Sequence, residues 1–397
     1  MPAAFGIVLN DDYFEASGGD ATNATTVANT IDAGYSAARA YSNENQFLAV
    51  GNIGISGGSC TATWIGNDAG SDTSFFLTAA HCIEGQSGGG APSFPATISF
   101  TDWNGNSTGS LAGTGYLPPE RYDSANFGCG GGACSDIAIV QLPGQLSILD
   151  GGGKPVTRPL IYDGSGEQGV ENSFVGYGSW GVGSLGSNGG LFPSSGPRRA
   201  GATNVINSIF ESNKGMGATF HTPGTGDATA AESSVASGDS GSAWWQQHDD
   251  RWAIIATTNG GSGTTYETFS TGARASQYVD WIESVYFDAQ LWSVPVGDVN
   301  RDGVVDADLR NGDFAAFIDG WRQPNTAASP NHADLNGDGI ADLADFGIYR
   351  QAVFDAGAGS ISISALTGVP EPSSVLLLLM AATGGAMLSH KRRVPVA

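Results

Sequence analysis

Charge is scarce in this chain, and positive charge is scarcest. Charged residues make up 14% of its 397 residues, against a usual ~25%. Sixteen Lys+Arg stand against 39 Asp+Glu, a formal net charge of −23. A cationic surface for nucleic acid is therefore excluded as the main business. The first ten residues, Met1–Asn10, hold no basic cluster, and the apolar stretch Ala3–Leu9 is shorter than the core of an ordinary export signal. The apolar run Val375–Leu388 is short for a stable membrane span. What is abundant is glycine, 60 of 397 residues, about twice the usual ~7%. Glycine at that level opposes long helices. Nine Trp and 40% hydrophobic residues argue against global disorder. Short apolar runs between Gly-rich turns predict a mainly β protein of two or three domains.

The acidity is uneven. Residues 297–355 carry eleven Asp, no Glu and four Arg, and Asp without Glu points to turns or metal loops rather than a helix face. Before that segment, β-like runs recur at Thr61–Ile65, Ser74–Leu77, Ile137–Leu142, Ser173–Tyr177 and Trp252–Thr258. Helical spacing of Tyr278, Trp281, Ile282 and Val285 predicts a helix over Ser276–Phe287. A Pro-containing joint, Trp292–Val296, follows, and 356–368 is an uncharged small-residue linker. The expected divisions are an N-terminal extension at 1–45 (a truncated leader or pro-segment), a main domain at 46–290, an Asp-rich domain at 296–355, the linker and a tail at 369–397.

Three strings carry chemistry: Thr78-Ala79-Ala80-His81-Cys82, Asp136-Ile137-Ala138-Ile139-Val140 and Gly238-Asp239-Ser240-Gly241. A serine hydroxyl is inert at neutral pH unless an imidazole takes its proton, and the imidazole needs a carboxylate on its other nitrogen to fix its tautomer. Glycines around the serine let backbone N–H groups converge on a developing oxyanion. Each string alone has a bland reading: a strand-start Asp, one more polar turn, a core histidine. All three in the order His, Asp, Ser are much harder to obtain by accident.

Together with Gly58-Ser59-Cys60, Val175-Gly176-Tyr177-Gly178 and the helix at Tyr278–Ile282, these strings make residues 46–290 resemble a chymotrypsin/trypsin-like serine protease. The resemblance implies two packed six-stranded β-barrels and cofactor-free hydrolysis of a peptide or protein substrate. It makes His81 the general base, Asp136 its orienter, Ser240 the nucleophile, and the N–H groups of Gly238 and Ser240 the oxyanion hole. Asp239 would hold the loop through an ion pair, whose partner is not identified. Ser234, six before the nucleophile, would floor the specificity pocket, with Gly260 or Gly261 in its walls. A neutral floor implies an apolar or small P1 side chain rather than Arg or Lys. Two departures stand out: Ser242-Ala243 replaces the family's frequent Gly-Pro, and Ile7-Val8 continues as Leu9-Asn10 rather than Gly-Gly.

In that family Cys60 and Cys82 form a disulfide. Cys129 and Cys134 enclose Gly-Gly-Gly-Ala and would staple the loop before Asp136; a metal site is the alternative, without paired C-x2-C knuckles. Two bridges would imply an oxidising compartment.

The Asp-rich segment repeats itself. Asp298, Asn300, Asp302, Val304 and Asp306 match Asp334, Asn336, Asp338, Ile340 and Asp342, with Gly303 and Gly339 at the turn. Oxygen donors at positions 1, 3 and 5, Gly at 6 and a carbonyl at 7 suit Ca2+. Asp345 closes the second loop at position 12. The first has Leu309 there, leaving Asp308 or, past an insertion, Asp313 to close it. The pair resembles a dockerin, a small helical EF-hand-like domain, which implies helices over Phe314–Trp321 and Phe346–Val353 and a cohesin-like partner.

Val369-Pro370-Glu371-Pro372, the apolar run and Lys391-Arg392-Arg393 resemble a bacterial PEP-CTERM sorting signal. That implies a C-terminal hydrophobic helix, an exosortase-type processing enzyme and an exported, extracellular or envelope location. The leading expectation is an exported serine endopeptidase with a calcium module. The rival is a catalytically inactive, protease-shaped adhesion or scaffold protein.

Overall fold

The computed structural model describes residues 7–361, apart from 56–57, 69, 87–90, 124–134, 189–198, 327–329 and 338. Cys129, Cys134, Asp338 and the sorting-signal residues thus lie outside the described residues. Among the described residues no helix is long and apolar enough to cross a membrane.

A short strand, β1 (Val8–Leu9), opens the chain. The first half of the main domain is a closed barrel of β2 (Val50–Ile55), β3 (Gly58–Asp68), β4 (Thr73–Thr78), β5 (Ser93–Thr101), β6 (Leu111–Tyr116) and β7 (Ala138–Pro143), in the order β2-β3-β4-β7-β6-β5. β5 shows why: Phe94, Ala96, Ile98 and Phe100 alternate with more exposed residues, so one face fills the barrel. β4 and β7 are buried on both faces. Phe76, Ala138 and Val140 point into the barrel, while Phe75, Leu77, Ile137 and Ile139 pack against the second half beside Val175, Trp245 and Ile254.

The second half holds β8 (Leu160–Ile161), β9 (Glu171–Gly176), β10 (Gly181–Val182), β11 (Gly186–Ser187), β12 (Ala200–Val205), β13 (Ser208–Phe210), β14 (Gly215–Thr219), β15 (Ser233–Ser234), β16 (Ala243–His248), β17 (Arg251–Gly261) and β18 (Phe269–Arg274). An eight-stranded half-barrel runs β12-β9-β16-β17-β18-β14-β13, with β8 beside β17; a smaller sheet runs β11-β10-β1-β15. This is the mainly β, double-barrel plan expected. Inside the second half lies a buried ion pair: Arg274 Nε and Nη2 on β18 donate to the two oxygens of Glu167, which precedes β9, 2.8 Å each.

Residues 7–45 are built into this fold. β1 pairs with β10 and β15. Helices α1 (Asp11–Ala16), α2 (Ala24–Gly34) and α3 (Ser36–Ser42) place Phe14, Val27, Ile31, Tyr35 and Ala38 against Trp180, Val182, Ala200 and Ala202. Asn23 caps α2 in a reciprocal box with Thr26. Two short helices flank the barrel, α4 (Ala80–Ile83) and α5 (Pro119–Tyr122). The closing helix α6 covers Val279–Val285, shorter than the expected span.

The C-terminal domain contains α7 (Asp313–Gly320) and α8 (Leu343–Asp355), close to the expected helices, around Phe314, Phe317, Phe346, Tyr349 and Val353.

Candidate active site

Register places the site. Thr78 of β4 pairs with Ala138 of β7, so the turn after one strand and the approach to the other lie side by side. His81, on α4, donates its backbone N–H to Asp136 Oδ1 at 2.9 Å, and its ring Nδ1 lies 2.6 Å from Asp136 Oδ2. The imidazole side chain is 36% exposed and the carboxylate 8%. Burial lowers the His81 pKa, but the hydrogen bond and charge of Asp136 outweigh it, and the net shift is upward. Sequence reasoning missed two neighbours. Arg121 on α5 forks onto Glu84 with two bonds of 2.7 Å and places Nη2 3.9 Å from Asp136 Oδ1. Their charges oppose each other at His81, Arg121 lowering its pKa and Glu84 raising it.

The serine turn faces this pair. Thr61 on β3 holds it: its N–H donates to Ser240 C=O at 2.8 Å, and its hydroxyl donates to Gly238 C=O at 3.0 Å. Gly238 and Gly241 have φ of +100° and +83°, which side-chain-bearing residues avoid. A Cβ on Gly241 would also lie 2.1 Å from Thr78 Oγ1 and 2.3 Å from Thr61 O. Neither the Gly238 nor the Ser240 N–H finds an acceptor among the described residues. The Cys82 sulfur lies 3.9 Å from His81 Nε2 and 3.7 Å from Ser240 O, so ring and turn flank one atom. That sulfur is bonded to Cys60; a metal at Cys60, His81 and Cys82 would need free thiolates instead.

Asp239 differs from expectation. It is fully buried, and among the described residues it makes no ion pair. Its Oδ1 accepts from Gly178 N–H at 2.7 Å and its Oδ2 from Ala236 N–H at 2.8 Å. Burial without a cation pushes its pKa up to about 7. The two amides take the structural place of the cation.

At the expected pocket floor, Ser234 is buried in β15 with its hydroxyl 3.1 Å from that of Ser270. Ser270 on β18 pairs with Gly261, and Gly260 pairs with Thr271 next to a bulge. A Cβ on Gly260 would meet nothing within 4 Å, so this stretch of wall is open. Ser270 had no marker in the sequence, because only strand register brings it to Ser234.

In the C-terminal domain both Asp-rich loops adopt the same local form. Asp345 Oδ1 accepts from Asn336 N–H and its Oδ2 from Asp342 N–H, each at 2.8 Å. Asp313 repeats this: Oδ1 accepts from Asn300 N–H at 3.0 Å, Oδ2 from Asp306 N–H at 2.8 Å. Asp313, not Leu309 or Asp308, thus closes the first loop, after a four-residue insertion (313 against 309). Asp308 instead caps its own turn by accepting from Arg310 N–H. Val304 and Ile340 have exposed side chains, which leaves their backbone carbonyls as the usable donors. The donor set fits a hard cation: Asp298, Asp313, Asp334 and Asp345 are buried carboxylates, and burial, with the Asp298 charge behind it, pushes the Asp313 pKa up.

A family model, Trypsin, matches residues 37–282. The chain belongs to the trypsin family. A second model, Dockerin type I domain, matches residues 296–353, so this trypsin-family protease domain is followed by a dockerin module. Among solved structures, a Glu endopeptidase in complex with MPD is similar at a TM-score of 0.40 and 19% identity, covering 61% of this chain and 91% of its own. No curated protein matches.

Proposed function

We propose that this chain is an exported serine endopeptidase. The observation that carries the reading is the two-point contact of His81 with Asp136 beside a serine turn whose amides at Gly238 and Ser240 find no acceptor among the described residues. In this reading Ser240 Oγ attacks the scissile carbonyl carbon while His81 takes its proton. The oxyanion is held by the two amides, and the proton passes to the leaving amine. Water, deprotonated by His81, then cleaves the acyl-Ser240 ester. Asp136 fixes the imidazole tautomer and stabilises the imidazolium.

The neutral hydroxyl pair Ser234–Ser270 supports a substrate with a small or apolar P1 side chain rather than Arg or Lys. Asp298, Asn300, Asp302, Asp306 and Asp313 would hold one Ca2+; Asp334, Asn336, Asp338, Asp342 and Asp345 would hold another, with the Val304 and Ile340 carbonyls. The ion would order the loops and takes no part in peptide hydrolysis. A cohesin-like partner for the dockerin module, an exosortase-type enzyme for the tail and an envelope location complete the proposal.

An active-serine phosphonate tests it. The expected result is one adduct, mapped to Ser240 and absent from Ser240→Ala. An oxidised, folded protein that takes no label at Ser240 would favour the inactive adhesion or scaffold reading.

A further inference from the structure

The dockerin module is seated on the protease domain through its calcium loops. Arg158, which precedes β8, is 5% exposed. Its Nη1 pairs with Asp288 Oδ2 and lies 3.3 Å from the Tyr286 hydroxyl, while Nη2 donates to the backbone carbonyl of Asp334 at 3.2 Å. Asp334 is position 1 of the second loop. From the module side, Asn325 Nδ2 reaches Asp288 Oδ2 at 3.0 Å and Asp334 Oδ2 at 3.1 Å. The Tyr286 hydroxyl in turn donates to Asn67 C=O at 3.2 Å, so the chain of contacts ends in β3 of the first barrel.

Position 4 of each loop shows that the fit is specific. Both residues there have positive φ, Arg301 at +59° and Gly337 at +75°. In the first loop the side chain points outward to Glu283 of α6, Nη1 to Oε1 3.3 Å. In the second, a Cβ on Gly337 would lie 2.5 Å from Arg158 Nε. The same backbone position is therefore filled from the module in one loop and from the protease domain in the other. A cavity of about 500 Å³ lies between the two domains, lined by both Asp298 and Asn336. Polar anchors, rather than continuous apolar packing, thus fix the module in place.

We propose that calcium in the second loop is coupled to the stability of the protease domain through Arg158, so that the dockerin module acts as a calcium-set clamp on the enzyme. The inference rests on the calcium reading of that loop. A cation held by the Asp334 carboxylate fixes the loop backbone, and that backbone supplies both the carbonyl bound by Arg158 and the gap left by Gly337. A ligand that binds only the ordered, docked form stabilises everything that must be ordered with it.

The test uses the full chain carrying Ser240→Ala, which prevents self-cleavage. Calcium uptake is counted by equilibrium dialysis, and hydrogen exchange is followed in peptides covering 156–161 and 286–291, with calcium and with chelator. Calcium at ten times its Kd should slow exchange there about tenfold. Gly337→Asn keeps a residue type that tolerates positive φ but collides with Arg158. It should take up calcium and lose the slowing. Arg158→Gln should do the same, and it serves if the first variant does not fold. Calcium uptake with unchanged exchange in the parent, or full slowing retained in a folded variant, overturns the clamp. A parent that takes up no calcium overturns the calcium reading and the clamp together, and the dialysis identifies that case.

Discussion

His81 and Asp136 meet twice, backbone N–H to one carboxylate oxygen and ring Nδ1 to the other. One carboxylate thereby positions the helix turn that carries the imidazole and sets the imidazole's tautomer. The ring cannot drift without also breaking the backbone contact.

The pH profile should report this. Because the His81 pKa is raised, the acid limb of kcat/KM should lie above the ordinary 6.5, since only neutral imidazole is a base. Arg121→Gln removes a cation that lowers the pKa, so the limb should move to higher pH. Glu84→Gln removes an anion that raises it, and the limb should move to lower pH. Shifts in the same direction would contradict the arrangement. Asp136→Asn should cost roughly 10⁴-fold in kcat. The stability linkage has the opposite sense to activity: the His81–Asp136 contribution is full below the unfolded pKa and is lost as pH rises through the folded one.

Gly241→Ala should damage stability and activity together. Positive φ costs ~1–3 kcal/mol and overpacking another ~1–3 kcal/mol. The nearest obstacle after a side chain is the Thr61 carbonyl, which cannot rotate away. Urea denaturation and turnover of a peptide substrate check it; a variant with parental stability and activity would show that the turn has slack.

Glu167→Leu should destabilise the protein by about 3–5 kcal/mol, because Arg274 would keep a buried charge without a partner. Adding Arg274→Met should restore much of that loss. Denaturant midpoints of the single and double variants decide it, and a double variant worse than Glu167→Leu would contradict the account.

Asp313→Ala should reduce calcium stoichiometry from two to one, whereas Leu309→Ala should leave it at two. Titration calorimetry reads both. Loss of a site with Leu309→Ala would mean that the ordinary twelve-residue spacing operates after all.

These residues also show where a sequence stops being legible. His81, Asp136 and Ser240 lie in short strings whose neighbours are local, and the strings carried them. The form of the second Asp-rich loop is local in the same way, as Asn336, Asp342 and Asp345 bond to one another within twelve positions. The first loop was harder, because an insertion moved its closing carboxylate and only the folded amide pattern identifies Asp313. Glu84 and Arg121 are 37 residues apart, Thr61 and Gly238 are 177 apart, and nothing near either member announces the other. The amide partners of Asp239 belong to the same class, since one comes from the serine loop and the other from Gly178 beyond β9. The helices of residues 11–42 did leave a trace, Asn23 with Thr26 and then Val27 and Ile31, but their docking face is defined by Trp180 and Val182 far along the chain.

The pairing of Val8 with Ser234 spans 234 − 8 = 226 residues. It sets a timetable for biosynthesis. At ~5–20 residues per second, the first strand of the smaller sheet waits on the order of 10–45 s before its antiparallel partner β15 has been made. Until then Val8 and Leu9, fully buried in the finished protein, can pair with Gly181 and Val182 of β10 alone and keep their other edge open. Ser234, which we propose as the floor of the specificity pocket, is therefore among the last parts of the protease domain to be set, and a ribosome-bound chain stopped short of it should have a formed first barrel and an open edge on β1.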